Sequence, residues 1–244
     1  MNAEPDLKPP HGVDSELRVV EPVTDWRPRL WSGQRLKACS ELLVANEPRH
    51  PRSEAIRALR TRLLLARDNA RHPATFAVMS ACPAEGRSEL CAELAIAFAQ
   101  LGRATLLIDA DLRNPRQHRL FGEHNRSGLA QALHRHESPW IYGVQGTPHL
   151  ALLTSGGIPA NPLELLSAGG LEQIIAGCQR DYEFLVIDTP PATRYSDGLA
   201  ISAVAGRALV VTRARKTSFQ DLTEMARQLA ATSVHVAGAV INRF

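Results

Sequence analysis

The sequence predicts an α/β protein whose sheet is mostly parallel and is covered by helices on both faces. Short apolar runs with strand character alternate with longer stretches in which apolar residues recur at helical spacing. Such alternation is typical of parallel sheets built from βαβ units. The strongest candidates for functional residues follow the apolar runs directly, and ligands bind at the carboxyl ends of strands in open sheets of this kind.

Length and composition agree with one such domain and a modest extension. The chain has 244 residues, 44% of them hydrophobic, which is enough for a sizeable core. A net charge of +3 is too small to indicate a nucleic-acid partner. The four cysteines have no paired spacing and indicate neither a disulfide framework nor a zinc site. The sequence shows no signal-like or membrane-spanning apolar run, so we expect a cytoplasmic protein.

We expect residues 1–50 to be a largely disordered or partner-docking extension and residues 51–244 to form the folded domain. The first 50 residues hold six of the sixteen prolines and little periodic hydrophobicity. A short helix over residues 36–44 is the element expected there. The domain then begins with a helix for which Ser53 is the expected N-cap, and its apolar face is formed by Ile56, Leu59 and Leu63.

A charged triplet lies on a neighbouring face of this helix. Glu54, Arg57 and Arg60 are spaced three residues apart. One interpretation is a solvated face with weak internal pairs, the usual outcome for such triplets. The other is a subunit contact in which Glu54 of one protomer meets arginines of the next.

The next segments predict a strand at residues 75–80, a loop, a helix at 88–101 and a strand at 104–109. The loop at 81–88 reads A-C-P-A-E-G-R-S, against the phosphate-binding pattern G-x-x-x-x-G-K-[ST]. Gly86 and Ser88 fit, whereas Ala81 replaces the first glycine and Arg87 replaces the lysine. A helix N-terminus offers N–H groups and partial positive charge to phosphate. Nucleotide binding is therefore favoured over an ordinary strand-to-helix turn.

Three aspartates follow apolar strands. Asp109 and Asp111 end the second strand, and Asp188 follows the apolar run at 184–187. Carboxylates in these positions can hold Mg²⁺ or orient an attacking oxygen. Taken alone, Asp188 is also interpretable as a cap of the turn that follows it.

The remaining segments continue the alternation of helices and strands. Pro162 suits the first position of a helix. We expect further strands at residues 150–154, 184–187, 208–212 and 236–242, and further helices at 114–121, 128–134, 163–166, 170–178 and 219–232.

With these residues in view, the chain resembles the bacterial tyrosine kinases of exopolysaccharide and capsule export, in their chain-length-determinant branch. These kinases are deviant P-loop proteins related to chromosome-partitioning and septum-placing ATPases. The resemblance covers about residues 50–244. It rests on E-x-x-R-x-x-R at 54–60, the loop at 81–88, I-D-A-D-L-R-x-P at 108–115, G-x-x-P-x-N-P-x-E-L-L at 156–166, I-D-T-P-P at 187–191 and N-R-F at 242–244.

The resemblance implies a doubly wound P-loop NTPase fold and transfer of the ATP γ-phosphate to tyrosine, with ATP and Mg²⁺ as cofactors. Arg87 then covers the lysine position, and Asn242 lies near the nucleobase. The phosphates are bound by the residues around the loop glycine, namely Ala84, Glu85, Gly86, Arg87, Ser88 and Glu89. The resemblance assigns Mg²⁺ to Ser88, Asp111 and Asp188, and activation of the acceptor hydroxyl to Asp109 and Asp111.

The resemblance also implies partners. The triplet of Glu54, Arg57 and Arg60 corresponds to the helix through which family members form homo-oligomeric rings. Family members are switched on by the cytoplasmic tail of a membrane-spanning chain-length regulator. The expected location is therefore cytoplasmic and peripheral at the inner membrane, and no nucleic-acid partner is expected.

Several residues depart from the family pattern. Arginine is longer and planar where the loop lysine is a compact point charge. Losing a well-aimed transition-state donor typically costs about 3–4 kcal/mol. Ala84 adds a methyl group where the family has glycine. Glu89 replaces a threonine of the family and places a carboxylate in the first helical turn, where it repels bound phosphate. The chain holds three tyrosines, none in a cluster such as the family kinases commonly carry at the C-terminus.

Two alternatives to an active kinase stay open on these residues. The first is a catalytically weak or inactive, nucleotide-responsive regulator that assembles on the polysaccharide machinery. The second, less supported, is a partitioning-type ATPase, for which the sequence lacks a basic stripe and a terminal amphipathic helix.

Overall fold

The computed structural model, which describes residues 26–33, 35–66 and 74–243, contains one eight-stranded sheet. In chain order its strands are β1 (Arg29–Leu30), β2 (Ala74–Ser80), β3 (Thr105–Asp109), β4 (Trp140–Val144), β5 (Thr147–Leu153), β6 (Phe184–Asp188), β7 (Arg207–Arg213) and β8 (His235–Asn242). Across the sheet they run β1-β4-β5-β3-β6-β2-β7-β8. Every neighbouring pair is parallel except the β4–β5 hairpin. The predicted, mostly parallel sheet is therefore confirmed.

Helices cover both faces of this sheet. In the described part of the chain they are α1 (Leu43–Asn46), α2 (Pro51–Leu65), α3 (Arg87–Ala99), α4 (Gln117–Leu120), α5 (Leu129–Arg135), α6 (Pro162–Ser167), α7 (Gly170–Cys178), α8 (Asp197–Ala205) and α9 (Phe219–Ala230). On β6, Val186 packs in an apolar cluster with residues of α1 to α3, whereas Leu185 and Ile187 pack in a cluster with residues of α5 to α8. Successive strand residues face opposite sides, so the doubly wound α/β class is confirmed.

Helix α3 is the central helix of the fold. Nearly all of its own residues are buried. Apart from Arg87 and Ser88 at its N-terminus, these buried residues are mostly apolar, and they occur all around the helix. The Phe98 ring stacks on Phe184 with ring centroids 4.1 Å apart, and on Phe76 with centroids 6.4 Å apart. A helix that is apolar all round is stable only when it is enclosed. The sheet on one side and α1 and α2 on the other therefore fix the direction of α3, whose N-terminus follows the loop at 81–86.

Residues 26–50 include segments that pack against the sheet and α3. Strand β1 pairs with β4, and Leu36, Leu42 and Val44 are buried in the cluster that contains α3. The helix predicted at residues 36–44 is wrong in extent, since α1 spans Leu43–Asn46 and Leu36 makes an isolated bridge to Val144. The division of the chain at residue 50 stays a prediction, and residues 1–25 lie outside the described ranges.

Other predicted elements differ in detail. Helix α2 begins at Pro51, and its N-cap is His50, whose Nδ1 accepts the Arg52 N–H at 3.1 Å. The Ser53 hydroxyl instead donates to the Glu47 carbonyl at 2.8 Å, so Ser53 does not cap the helix. The helix predicted at 114–121 is reduced to α4, and strands β1 and β4 and helix α8 were not predicted. Among the described residues, no helix has the length and hydropathy needed to cross a bilayer.

Candidate active site

The strand order brings the predicted site residues to one edge of the sheet. Strand β6 lies between β3 and β2, and Asp188 is the register partner of Asp109 on one side and of Val78 on the other. The carboxyl ends of these three parallel strands therefore meet, and the loop that follows β2 begins beside Asp188. The structure thus places the loop and the three aspartates together.

The loop at residues 81–86 is held by contacts on two sides. Ala84 adopts a left-handed conformation at φ 58°, which costs an L-residue about 1 kcal/mol. Its carbonyl accepts hydrogen bonds from Arg213 at 3.0 Å and Lys216 at 3.2 Å. Inside the loop, the Cys82 N–H donates to Glu85 Oε2 at 2.8 Å, and the Thr217 hydroxyl donates to Glu85 Oε1. The Glu85 side chain therefore shapes the loop from within.

Gly86 and Asn242 approach each other closely at the start of α3. Gly86 has φ 83°, and a Cβ built on it would lie 2.0 Å from Asn242 Nδ2. The same amide nitrogen donates to the Glu85 carbonyl at 3.1 Å. A glycine is thus required at position 86 by both its backbone conformation and the lack of space, and Asn242 joins the end of β8 to the loop.

Arg87 forms the centre of a buried ion network. Its Nε donates to Asp188 Oδ1 at 3.0 Å and its Nη2 to Asp111 Oδ2 at 3.0 Å. Its Nη1 donates to Ser80 Oγ at 2.7 Å, and the residue is 7% exposed. Burial by itself lowers the pKa of Arg87, but the Asp188 and Asp111 carboxylates raise it above its ordinary value. The guanidinium is therefore a buried cation that joins two strand ends in this structure.

Asp109 carries an unpaired buried oxygen. Its Oδ2 accepts the backbone N–H groups of Arg116 at 3.1 Å and Gln117 at 2.9 Å, whereas its Oδ1 has no hydrogen-bond partner among the described residues. Burial, with a further contribution from the Asp188 charge, raises its pKa well above the ordinary value. The pKa of Asp111 is also raised, because burial outweighs the lowering by Arg87. Arg87 therefore pairs with two of the three carboxylates, and the Asp109 Oδ1 is left without a hydrogen-bond partner among the described residues.

Gln117 connects these groups, although no sequence pattern indicates it. Its Nε2 donates to Asp188 Oδ2 at 2.8 Å and to the Ser88 carbonyl at 3.0 Å. Its backbone N–H bonds to Asp109, as described above. The residue is fully buried. A single glutamine in a four-residue helix has no characteristic spacing, and only the folded geometry identifies it.

A pocket of about 190 Å³ opens in front of this network. It is lined by loop and helix residues 83–89, by Asp111, Arg113, Asn114 and Arg116 after β3, and by Pro191, Arg194 and Tyr195 after β6. Four of these residues are arginines. Glu89, whose carboxylate was expected to repel phosphate, forms an ion pair with Arg116 at 3.3 Å, which offsets part of its charge. The pocket therefore combines a helix N-terminus with several cations, which suits a polyanion.

Arg113 and Tyr195 meet at the pocket wall. The Arg113 Nε and Nη2 donate to the two carboxylate oxygens of Asp197 at 2.8 and 3.0 Å. The Arg113 guanidinium carbon also lies 4.1 Å from the centroid of the Tyr195 ring. Asp197 is fully buried at the start of α8. These contacts were not predicted, because they join residues from two separate loops.

The charged triplet on α2 makes contacts within the chain. The Arg57 Nη2 lies 2.7 Å from Glu54 Oε2, and the Glu54 side chain is 73% exposed. Arg60 donates to the Ala97 carbonyl at 3.0 Å, near the end of α3. These contacts do not test the predicted subunit contact, which stays a prediction.

Comparison with known proteins agrees with this geometry. Residues 72–243 match the ParA family model, described as the NUBPL iron-transfer P-loop NTPase. The chain is 35% identical over 203 residues to the tyrosine-protein kinase YwqD of Bacillus subtilis, covering 82% of this chain and 85% of YwqD. It is 27% identical over 249 residues to the tyrosine-protein kinase Etk of Escherichia coli, covering 98% of this chain and 34% of Etk.

The solved kinase domain of Escherichia coli Etk has a similar fold. Its TM-score is 0.78 at 28% identity, over 86% of this chain and 82% of that domain. The chain thus spans most of YwqD but about a third of the length of Etk. The fold, the carboxylates at the ends of β3 and β6, and the extent of these matches lead to one conclusion: the chain belongs to the bacterial tyrosine-protein kinases, within the ParA-type P-loop NTPases.

Proposed function

We propose that this chain is an ATP-dependent protein-tyrosine kinase of exopolysaccharide or capsule biosynthesis. The observation that carries the proposal is the arginine-lined pocket at the N-terminus of α3. Asp111 lines this pocket, and Arg87, which also lines it, pairs with Asp111 and Asp188. A site for phosphoryl transfer needs cations around the phosphates and a carboxylate near the acceptor hydroxyl. The relationship to named tyrosine kinases supports the reaction type, and the polysaccharide context rests on the sequence resemblance.

In this proposal the nucleotide phosphates lie against the loop and the first turn of α3. Backbone N–H groups from Ala84 to Glu89 face them, and Arg113, Arg116 and Arg194 supply positive charge from the opposite loops. Asn242 fixes the loop through the Glu85 carbonyl. We therefore assign it a supporting role in nucleotide binding, close to the position that the resemblance gives it.

The side chains around Arg87 include the oxygen ligands that a magnesium ion requires. A hydroxyl from Ser88 and carboxylate oxygens from Asp111 and Asp188 are the hard ligands that Mg²⁺ prefers, and Mg²⁺ is usually completed by substrate phosphates and water. The unpaired Asp109 Oδ1 and the excess of carboxylates over guanidinium also favour an added cation. When bound, Mg²⁺ would neutralise charge on the phosphates that react.

Arg87 has to rearrange for this arrangement to form. One oxygen of Asp111 and one of Asp188 accept its guanidinium hydrogen bonds. We infer that the guanidinium turns from these carboxylates toward the nucleotide phosphates when nucleotide binds, because the phosphates offer it stronger acceptors. In that position Arg87 stabilises the charge that develops on the transferred group.

The acceptor hydroxyl would be activated by the carboxylates at the end of β3. Asp111 lines the pocket, and Asp109 lies behind it. A raised pKa suits a carboxylate for accepting a proton during the reaction, and the pKa of both residues is raised by burial.

We further propose that the chain forms a homo-oligomer and is activated by the cytoplasmic tail of a membrane-spanning regulator, which would hold it at the inner membrane. The exposed Glu54 carboxylate on α2 is available to a neighbouring subunit. The double variant Glu54→Ala with Arg57→Ala should then lower the oligomer mass measured by light scattering. An unchanged mass would remove α2 from the contact.

Calorimetric titration with ATP or ADP and Mg²⁺ tests the proposed function first, followed by transfer of labelled phosphate to a synthetic Glu/Tyr copolymer. We expect saturable binding by the natural chain and labelling of the copolymer. Arg87→Lys and Glu89→Thr restore the family residues and serve as reference variants. Binding found only after both replacements would overturn the kinase proposal, and an assembly regulator would be the better interpretation.

A further inference from the structure

Tyr195 lies in the wall of the proposed nucleotide pocket. It belongs to the loop between β6 and α8, next to Arg194, and both line the same cavity as Arg87 and Asp111. The residue is partly exposed. A phenol in the pocket wall is therefore close to the space that the proposed nucleotide phosphates would fill.

The Tyr195 ring is held by a defined contact. Arg113 covers it at 4.1 Å from guanidinium carbon to ring centroid, and Asp197 holds Arg113 through two hydrogen bonds. A guanidinium paired in this way has lost most of its rotational freedom. The ring therefore has a preferred orientation in the pocket wall.

The other two tyrosines of the chain lie in different environments, and all three fall within the described ranges. Tyr142 is 4% exposed on β4, and burial raises its pKa to about 12. Tyr182 packs against the apolar cluster beneath α5 to α8, and burial raises its pKa as well. Neither lines the pocket. Of the three, Tyr195 is thus the tyrosine that meets both requirements of an acceptor, exposure and a place in the site.

We propose that Tyr195 is the phosphoryl acceptor of this chain's own kinase site, within the same molecule; this inference rests on the proposed kinase function. The phenol oxygen attacks the γ-phosphorus of ATP and forms the new O–P bond. The bond between the γ-phosphorus and the bridging β,γ-oxygen breaks, and ADP leaves. The phenolic proton passes to the Asp111 carboxylate, which lines the same pocket.

The surroundings of Tyr195 also favour the product. A phosphotyrosine carries a charge of about −2 at neutral pH, and Arg113 and Arg194 are next to it in the pocket wall. Arginine binds phosphate oxygens through two parallel hydrogen bonds. The phosphorylated loop would therefore stay at the site, where it competes with Asp197 for Arg113.

The test is incubation of the purified full chain with labelled ATP and Mg²⁺ in the presence of the Glu/Tyr copolymer, followed by tryptic mass spectrometry. Cleavage after Arg194 and Arg207 separates Tyr195 in the peptide 195–207 from Tyr182 in the peptide 181–194. We expect phosphotyrosine in the peptide 195–207, loss of self-labelling in Tyr195→Phe, and retained self-labelling in the matched variants Tyr142→Phe and Tyr182→Phe. In the background of Glu54→Ala with Arg57→Ala, where the proposed subunit contact is removed, the initial rate per chain should not change over a dilution series.

The copolymer separates failure of this inference from failure of the kinase proposal. Labelled copolymer with an unmodified 195–207 peptide would overturn the assignment of Tyr195 and leave the kinase function in place. Labelling of Tyr195 at a rate that rises with protein concentration would overturn transfer within one molecule. Absence of label from both copolymer and chain would overturn the kinase proposal, and the inference would fall with it.

Discussion

At the scale of single residues, Arg87 balances buried carboxylates that come from two strands. Its hydrogen bonds to Asp111 and Asp188 are 3.0 Å long, and its side chain is 8% exposed. Removing one partner of a buried charge network leaves the other charges uncompensated, which typically costs about 3–5 kcal/mol. The replacement of the loop lysine by arginine therefore has a structural role in addition to any role toward phosphate.

We expect Arg87→Ala to lower the free energy of unfolding by about 3 kcal/mol, and Mg²⁺ to restore part of this loss because a cation can occupy the vacated position between the carboxylates. Urea unfolding with and without MgCl₂ measures both effects. Arg57→Ala is the matched control, since the Arg57–Glu54 pair on α2 involves a 73% exposed glutamate and should contribute about 1 kcal/mol or less. Equal losses in the two variants would contradict the assigned role of Arg87.

Asp109 illustrates a conflict between stability and function in the same network. We expect Asp109→Asn to abolish phosphoryl transfer and to raise the free energy of unfolding by about 1 kcal/mol. The amide oxygen can still accept the N–H groups of Arg116 and Gln117. The amide nitrogen takes the place of Oδ1, which has no hydrogen-bond partner among the described residues. The substitution also removes a carboxylate whose charged form is disfavoured by burial. Urea unfolding and the copolymer assay measure the two effects, and a variant that is destabilised or fully active would contradict this interpretation.

The sequence identified a part of the site and missed the rest for a physical reason. Gly86, Ser88 and the three aspartates follow strand ends directly, so chain order alone places them near one another. Arg113 and Arg194 reach the pocket with long side chains from separate loops, and Gln117 reaches Asp188 from α4. The directions of these side chains depend on tertiary packing. The opposite charges of Glu89 and Arg116 also gave no indication that they pair, because 27 positions separate them in the chain.

At the scale of elements, a buried glutamate connects three helices. Glu93 of α3 is fully buried, accepts the Leu43 N–H of α1 at 3.1 Å and pairs with Arg52 of α2 at 2.8 Å. Burial raises its pKa above the ordinary value of 4.5, and Arg52 opposes this shift. A raised pKa means that the folded chain binds the proton more tightly than the unfolded chain does. This contribution to stability is complete below pH 4.5 and is lost as the pH rises through the folded value.

Arg52→Ala should therefore destabilise the chain in a pH-dependent manner. Without Arg52 the pKa of Glu93 rises further, so the loss should be about 3 kcal/mol near pH 7 and smaller near pH 5, where the carboxyl can take up a proton. Urea unfolding at both pH values gives the comparison. In the double variant with Glu93→Gln no carboxyl remains to titrate, and the loss should be the same at both values. A pH-independent loss in the single variant would exclude Glu93 as its cause.

Helices and strands were predicted correctly where the pattern of apolar residues in the sequence agrees with the residues that are buried in the fold. The strand predicted at 104–109 and the helix predicted at 170–178 match β3 and α7 to within one residue at each end. Helix α8 was missed because its apolar residues do not form a single face. Strand β4 was missed because Gly143 interrupts the run of Trp140, Ile141 and Tyr142. Both elements also depend on a neighbour that is distant in sequence, namely β2 for α8 and β1 for β4.

At the scale of the whole molecule, the strand order creates the site. Strand β6 is sixth in the chain but lies between β3 and β2, which brings Asp188 between the loop and Asp109. The alternation of strands and helices predicts a parallel sheet, but the order of strands depends on pairings over more than 100 residues, as between Ala74 and Phe184. The sequence therefore predicted the edge at which the site lies, and the structure was needed to show which residues are adjacent.

The segment before α2 packs against α3 in the described part of the chain, and one substitution tests whether it unfolds together with the domain. Leu42 is 0% exposed and packs in the cluster that contains α3, whereas Leu30 on the edge strand β1 is 61% exposed. Leu42→Ala should lower the free energy of unfolding by about 2–5 kcal/mol, the range for large-to-small changes in cores. Leu30→Ala should change it by about 0.5 kcal/mol or less. Urea unfolding of both variants provides the measurement, since the same substitution is compared in two environments.

If residues 35–50 were instead a separable docking segment, Leu42→Ala would leave the unfolding transition of the domain unchanged. The side of α3 that packs against Leu42 would then have to be buried by other residues.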